Sequence, residues 1–120
     1  MNIAVTAEGK NLEAKVDPRF GRAAYFIIVD PETMTFEAVE NSQNLNLPQG
    51  AGIQAGKTVV DQKVDVLLTG NCGPKAFQVL QSAGVKVMTG ISGQVKDALE
   101  QFKNNALQEA ENANVDGHWV

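Results

Sequence analysis

The stretch that most constrains the fold is Ala24–Asp30, Ala-Tyr-Phe-Ile-Ile-Val-Asp, which is apolar at almost every position. A strand with one wet face alternates polar and apolar residues, so an unbroken apolar run belongs inside a sheet covered on both faces. Pro31-Glu32-Thr33 follows as a compact turn, because proline presets φ for a turn position. Met34–Glu40 then alternates, with Met34, Phe36, Ala38 and Glu40 on one side and Thr35, Glu37 and Val39 on the other. It reads as the antiparallel partner of the preceding strand, nearer an edge. An inner strand of this kind requires helices above and below it.

The rest of the chain supplies them. Asn2–Ala7, with Ile3 and Val5 on one face, is an expected first strand. A helix is expected from near Gly50 to about Gln62, burying Ile53, Val59 and Val60. Gly52 and Gly56 weaken it by about 1 kcal/mol each relative to alanine. Val64–Thr69 is a strand, and Gly70-Asn71-Cys72-Gly73-Pro74 a sharp turn whose proline suits the first position of a helix. That helix carries Ala76, Phe77, Leu80 and Ala83 on one face, and Gly84 is its stop. Val85–Thr89 is the last strand, and Val95, Ala98, Leu99, Phe102 and Ala106 line a final helix. The helical pattern fades after Leu107, leaving Gln108–Val120 as a frayed end or mobile tail. The expected order is β-β-β-α-β-α-β-α: one α/β domain over residues 1–107 with a mixed five-stranded sheet flanked by helices, then a tail, 108–120. It resembles the ribonuclease H-like fold.

Composition narrows the function. The chain has 120 residues and a formal charge of −4, a length that suits one domain burying roughly two-thirds of its unfolded surface. The acidic balance offers no general attraction to nucleic acid or an anionic membrane, so neither is expected as a partner. Cys72 is the only cysteine, which excludes an internal disulfide and a metal site made from two or four cysteines of one chain. The opening residues show no basic leader, and no stretch reaches the ~18–20 apolar residues of a membrane helix. A cytoplasmic protein is expected.

Strand directions put every long or glycine-rich connection on one edge of the sheet: Glu8–Arg22, Asn41–Gly50, Gly70–Gly73 and Gly90–Gly93. Open α/β sheets bind ligands at this edge, where helix N-termini present free amides to anions. In Asp17-Pro18-Arg19-Phe20-Gly21-Arg22, two guanidiniums flank an aromatic and a glycine, a set suited to oxyanions and sulfide-rich anions. Alternatively, Phe20 tucks into the core and the arginines pair with Asp17. Cys72 sits at a strand–helix junction, which lowers a thiol pKa and favours a soft metal ligand, unless it is a small buried hydrophobe. His118 is the only imidazole; it either hangs in a disordered end or folds over the loop edge. Gly50 and Gly52, Gly70 and Gly73, Asn71 and Ser92 complete the candidate edge. No Walker loop or dinucleotide fingerprint is present. The first strand lacks the carboxylate that a two-metal nuclease needs.

Several of these motifs together resemble the dinitrogenase iron–molybdenum cofactor biosynthesis family. They are Asn2–Val5, Asp17–Ala23 before Tyr25–Asp30, Gly50–Ala55, Gly70–Phe77 and Ala83–Val85, spread in order over about residues 2–104. The resemblance implies a ribonuclease H-like fold and light or noncovalent binding of a metal–sulfur cluster, without catalysis. Asp17–Arg22 and Gly70–Pro74 are the binding elements it points to, with Cys72 and His118 as the candidate metal ligands. Several nitrogenase-associated members have His where this chain has Arg19, which favours charge-based docking through Arg19 and Arg22 over ligation from that loop. The expected function is therefore non-enzymatic carriage of an Fe-S, Mo-Fe-S or Mo-Cu-S type cluster between donor and acceptor proteins, by a monomer or weak homodimer. The alternatives are a module that binds a nucleotide or phosphate ligand at the same edge, and a redox-sensing thiol protein with a depressed Cys72 pKa.

Overall fold

The computed structural model describes residues 1–41 and 50–114. Strand β1 (Ile3–Ala7) is buried at all five positions because it occupies the middle of a sheet ordered β3-β2-β1-β4-β5. Its neighbours are β2 (Tyr25–Val29), antiparallel, and β4 (Val66–Leu68), parallel. β3 (Phe36–Glu40) pairs antiparallel with β2 and forms one edge, where Phe36, Glu37 and Glu40 are exposed. β5 (Lys86–Met88) lies parallel to β4 at the other edge. The mixed five-stranded sheet, the hairpin and the edge position of β3 agree with the reading from the apolar pattern.

Alternation along the strands sorts the core into two layers. Ala4, Phe26, Ile28, Leu67 and Val87 face α1 (Ala51–Asp61) and α2 (Pro74–Ser82), which meet them with Ala55, Val59, Ala76, Phe77 and Leu80. Ile3, Val5, Ile27, Val29, Val66 and Leu68 face α3 (Val95–Lys103), which contributes Val95, Ala98 and Leu99. The strands of the inner sheet are thus apolar on both sides, as continuous runs require.

Helix ends follow local chemistry. At the end of α2, Gly84 takes φ +79, and the Gly84 and Val85 amides donate to the Gln81 and Leu80 carbonyls, the paired-bond stop that glycine favours. α3 stops earlier than its apolar spacing suggests. Asn105 adopts φ 57, its amide donates to Phe102 O, and Ala106 N donates to Gln101 O at 2.9 Å. Asparagine is the other residue that tolerates this left-handed stop.

The segment after this stop departs from expectation. Gln108–Asn114, expected to fray, is docked: Ala110 N donates to Val87 O at 2.7 Å along the free edge of β5. Ala110 and Ala113 pack against the α1–α2 core layer. Small apolar residues at these two positions suffice to seat a strap that has no periodic pattern of its own.

Candidate loop edge and its lock

The loop from Glu8 to Ala24 is tied to the sheet through two buried hydroxyls. Asp17 N donates to Thr6 O at 2.8 Å, and Thr6 Oγ1 donates to Asp17 O at 2.8 Å. Thr6 Oγ1 also lies 2.9 Å from Thr69 Oγ1, just past β4. A hydroxyl has one proton, so Thr6 spends it on the carbonyl and accepts from Thr69. The ends of the two central parallel strands thereby hold the start of the arginine loop.

Asp17 shapes that loop from inside. It is only 6% exposed; Oδ1 accepts from Arg19 N at 3.1 Å and Oδ2 from Ala24 N at 3.2 Å, so one carboxylate spans both ends of the turn. Phe20 points inward and is 1% exposed, its ring centroid 5.6 Å from that of Phe26. Gly21 O and Ala23 O both accept from Asn41 Nδ2, at 3.1 and 2.9 Å. Asp17, Phe20 and Gly21 therefore act as scaffold, as in the reading that placed Phe20 in the core. Arg19 is exposed and Arg22 half-buried on the surface this scaffold presents. No described carboxylate lies within ion-pair distance of the Arg19 guanidinium.

The loop is locked to the β4–α2 turn. Arg19 and Asn71 form an isolated parallel bridge, with Phe20 N donating to Asn71 O at 3.1 Å and Asn71 Nδ2 to Pro18 O at 2.9 Å. Gly70 makes the approach possible: a Cβ there would sit 2.7 Å from Pro18 Cα and 2.8 Å from Pro18 O. No side chain fits such a gap. Asn71 and Pro18–Arg19, distant in sequence, are thus brought side by side over a buried Gly70.

Cys72 occupies this junction but faces the core, with no exposed surface. Burial pushes its thiol up to about 12, since a thiolate would lose its hydration there. The expected lowering by the start of α2 is outweighed, and the depressed thiol pKa expected of a redox sensor is absent. Its amide donates to Asn114 Oδ1 at 2.8 Å, and its carbonyl accepts from Asn114 N at 3.3 Å. Asn114 Nδ2 reaches Gly70 O at 3.2 Å and Asn71 Oδ1 at 3.1 Å.

The helix starts differ from one another. Gly50 caps α1 with φ +81, a left-handed turn that suits glycine, and Gly52 is buried in the first turn. Gly73 precedes Pro74 at the start of α2, where no described acceptor takes the Lys75 or Ala76 amide. At α3, by contrast, Val95 N and Lys96 N donate to Ala14 O and Leu12 O. The amides expected to meet an anion beside Ser92 are thus used internally, and Ser92 itself lines a separate groove with Thr89, Gly90 and residues of the strap. His118 lies outside the described residues, as do residues 42–49 of the second long loop. Among the described residues no group of three or more His, Cys, Asp or Glu could hold a metal ion. No described helix is long and apolar enough to cross a membrane.

Comparison with known proteins places this edge in context. Residues 1–105 match the family described as dinitrogenase iron-molybdenum cofactor. The chain belongs to this family. It is similar to the orange protein of Desulfovibrio gigas, solved in its apo form, with 46% identity, 95% of this chain and 96% of that one covered, and a TM-score of 0.93. A Thermotoga protein of the DUF35 family with a provisional NifB designation shares 37% identity over 90% of this chain and 91% of its own, at a TM-score of 0.78. An uncharacterized protein of Methanocaldococcus jannaschii is 26% identical over 114 residues, 92% of each chain.

The family was legible from the Asp17–Arg22 and Gly70–Pro74 motifs. Thr6, Thr69, Asn41 and Asn114 were not singled out. Two threonines at strand ends and an asparagine after β3 are ordinary residues for their positions, and Asn114 stands in a polar stretch with no periodicity.

Proposed function

We propose that the protein binds an anionic metal–sulfur cluster, or a precursor of one, as cargo, and carries it between donor and acceptor proteins without catalysing a reaction. The observation that carries this reading is the locked junction of Arg19 with Asn71, which holds the backbone of an exposed arginine, without a described carboxylate partner, next to the turn that opens α2. A sulfide-rich anion needs such a surface: cationic donors, backbone amides and no competing carboxylate. Membership of a family described by the iron–molybdenum cofactor supports it, as does a 46% identical relative solved in an apo form, one that therefore takes a removable ligand. Iron–sulfur, molybdenum–iron–sulfur and molybdenum–copper–sulfur species share the relevant chemistry.

Docking here is electrostatic in the form described. Cys72, neutral and enclosed, is not a ligand until its surroundings open, and Arg19 with Arg22 supplies the attraction. The same reading takes the sheet order β3-β2-β1-β4-β5 as ribonuclease H-like and places the protein in the cytoplasm. It takes the chain as a monomer or weak homodimer, since Glu37 and Glu40 on edge strand β3 discourage strand pairing.

Anaerobic reconstitution of the full chain with iron or molybdate plus sulfide, then desalting, metal analysis and visible spectra, tests the reading. Stoichiometric metal and a charge-transfer band are expected. A chain that retains no metal under these conditions is not a carrier.

A further inference from the structure

Among the described residues the strap makes its most specific contacts, through Asn114, with the turn the cargo reading depends on. Asn114 uses its amide nitrogen, side-chain carbonyl and side-chain amide to make four hydrogen bonds, to Gly70 O, Asn71 Oδ1, Cys72 N and Cys72 O. In accepting from Cys72 N it mimics what an anion at this turn would do. Four residues earlier, Ala110 N bonds Val87 O. Between and beside these anchors the strap is flanked by grooves. One of about 500 Å³ separates Glu111–Ala113 from α2 at Pro74, Phe77 and Gln78. Another of about 640 Å³ lies between the strap's Gln108–Ala110 and the Gly90–Ser92 turn. Past the α3 stop, the strap's described hydrogen bonds to the body are confined to Ala110 and Asn114, with only Leu107, Ala110 and Ala113 seated on the core. So few buried contacts are the pattern of a part that opens below the global unfolding energy.

We propose that residues 106–114 form a latch whose Asn114 occupies the Gly70–Cys72 turn when cargo is absent, and that an anionic sulfide cluster and the docked strap exclude each other. The proposal rests on the cargo reading for the identity of the competitor and regulates that same site. Two anchors make the strap a cooperative unit. Asn71 passes its state onward, since it bonds Asn114 with its Oδ1 and Pro18 O with its Nδ2. With the latch released, Cys72 N is freed for the cargo.

Two full-length variants test it. Asn114→Ala removes the side-chain contacts at the turn, and Ala110→Pro removes the remote N–H while leaving Asn114 intact. Exchange of the Cys72 amide with deuterated solvent, read by NMR, reports latch opening. Each hydrogen bond of ordinary net worth corresponds to about a tenfold change in opening, so a tenfold or faster exchange is expected in both variants. Titration with thiomolybdate formed from molybdate and sulfide reports competition, and both variants are expected to bind it about tenfold more tightly than the natural chain. Unchanged Cys72 exchange in Ala110→Pro, with the circular dichroism of the natural chain, would show that the strap does not open as a unit and overturn the latch. Weaker thiomolybdate binding in both variants would also overturn it, showing that the strap supports the site. If the natural chain and both variants bind none, the cargo reading and its gating fall together, while amide exchange still reports whether the strap covers the turn.

Discussion

The β4–α2 and β5–α3 turns occupy equivalent places, each following a parallel strand and opening a helix on the same sheet edge. The β5–α3 turn is sealed by backbone: Gly93 O accepts from Val16 N, and the first amides of α3 donate to Ala14 O and Leu12 O. The β4–α2 turn has backbone bonds too, from Phe20 N to Asn71 O and from Gly90 N to Gly70 O, but its Cys72 amide is taken by a side chain, Asn114 Oδ1. Backbone-to-backbone closure commits a helix start to structure. Side-chain closure leaves its amides available to anything that displaces an asparagine. One topology thus yields one turn whose helix-start amides are committed and one, the end proposed for cargo, whose amide is held only by a side chain.

The sharpest test of this contrast exchanges the two glycines. Gly70→Ala should destabilise by about 2–4 kcal/mol in urea denaturation, because its Cβ meets Pro18 backbone that cannot yield. Gly90→Ala meets nothing within 4 Å and suffers only from its φ of +76, about 1 kcal/mol. Equal effects would mean that the lock between loop and turn is not the tighter junction. Next in size, Asp17→Ala should cost roughly 1–3 kcal/mol, since Arg19 N and Ala24 N lose their acceptor.

Cys72 gives a pH test of the same end. Its folded thiol is raised from 9.0 to about 12, so above pH 9 the unfolded chain loses a proton that the folded chain keeps. The stability this thiol contributes is full below pH 9 and is lost as pH rises toward 12. Cys72→Ala should flatten the fall in denaturation midpoint over that window. A natural chain whose midpoint holds steady from pH 9 to 11 would show the thiol to be exposed.

The smallest stability effects separate the two ends functionally. Arg19→Ala should leave stability within about 0.5 kcal/mol of the natural chain, yet lower retention of reconstituted metal, most visibly at high salt where the residual attraction is screened. Ser92→Ala, on the sealed end, should change neither stability nor metal content. Loss of metal in Ser92→Ala would move the site toward the β5–α3 turn.

How much was readable in advance differs by the kind of interaction. The hairpin, the two-sided burial of β2 and the stop at Gly84 follow from periodicity and local turn chemistry, so they were legible. The convergence of the Glu8–Arg22, Gly70–Gly73 and Gly90–Gly93 connections was legible from strand direction alone. The orientation of side chains within that edge was not. Arg19 and Phe20 are neighbours, and only packing against Phe26 decides that the aromatic turns inward and leaves the guanidinium outside. For Cys72, two effects compete, and burial beneath the turn outweighs the helix start. Apolar spacing overstates the extent of α3 because Ala106 continues it, while Asn105 ends the helix by backbone conformation.

Order along the chain therefore determined the sheet, its layers and the edge where ligands are expected, because those depend on patterns within a dozen residues. A single cysteine and one imidazole already ruled out a four-cysteine site. Tertiary structure alone decided which helix start stays available, since that turns on contacts between Leu12 or Ala14 and α3, Pro18 and Gly70, and Asn114 and Cys72. These partners lie tens of residues apart, and no local preference encodes their meeting.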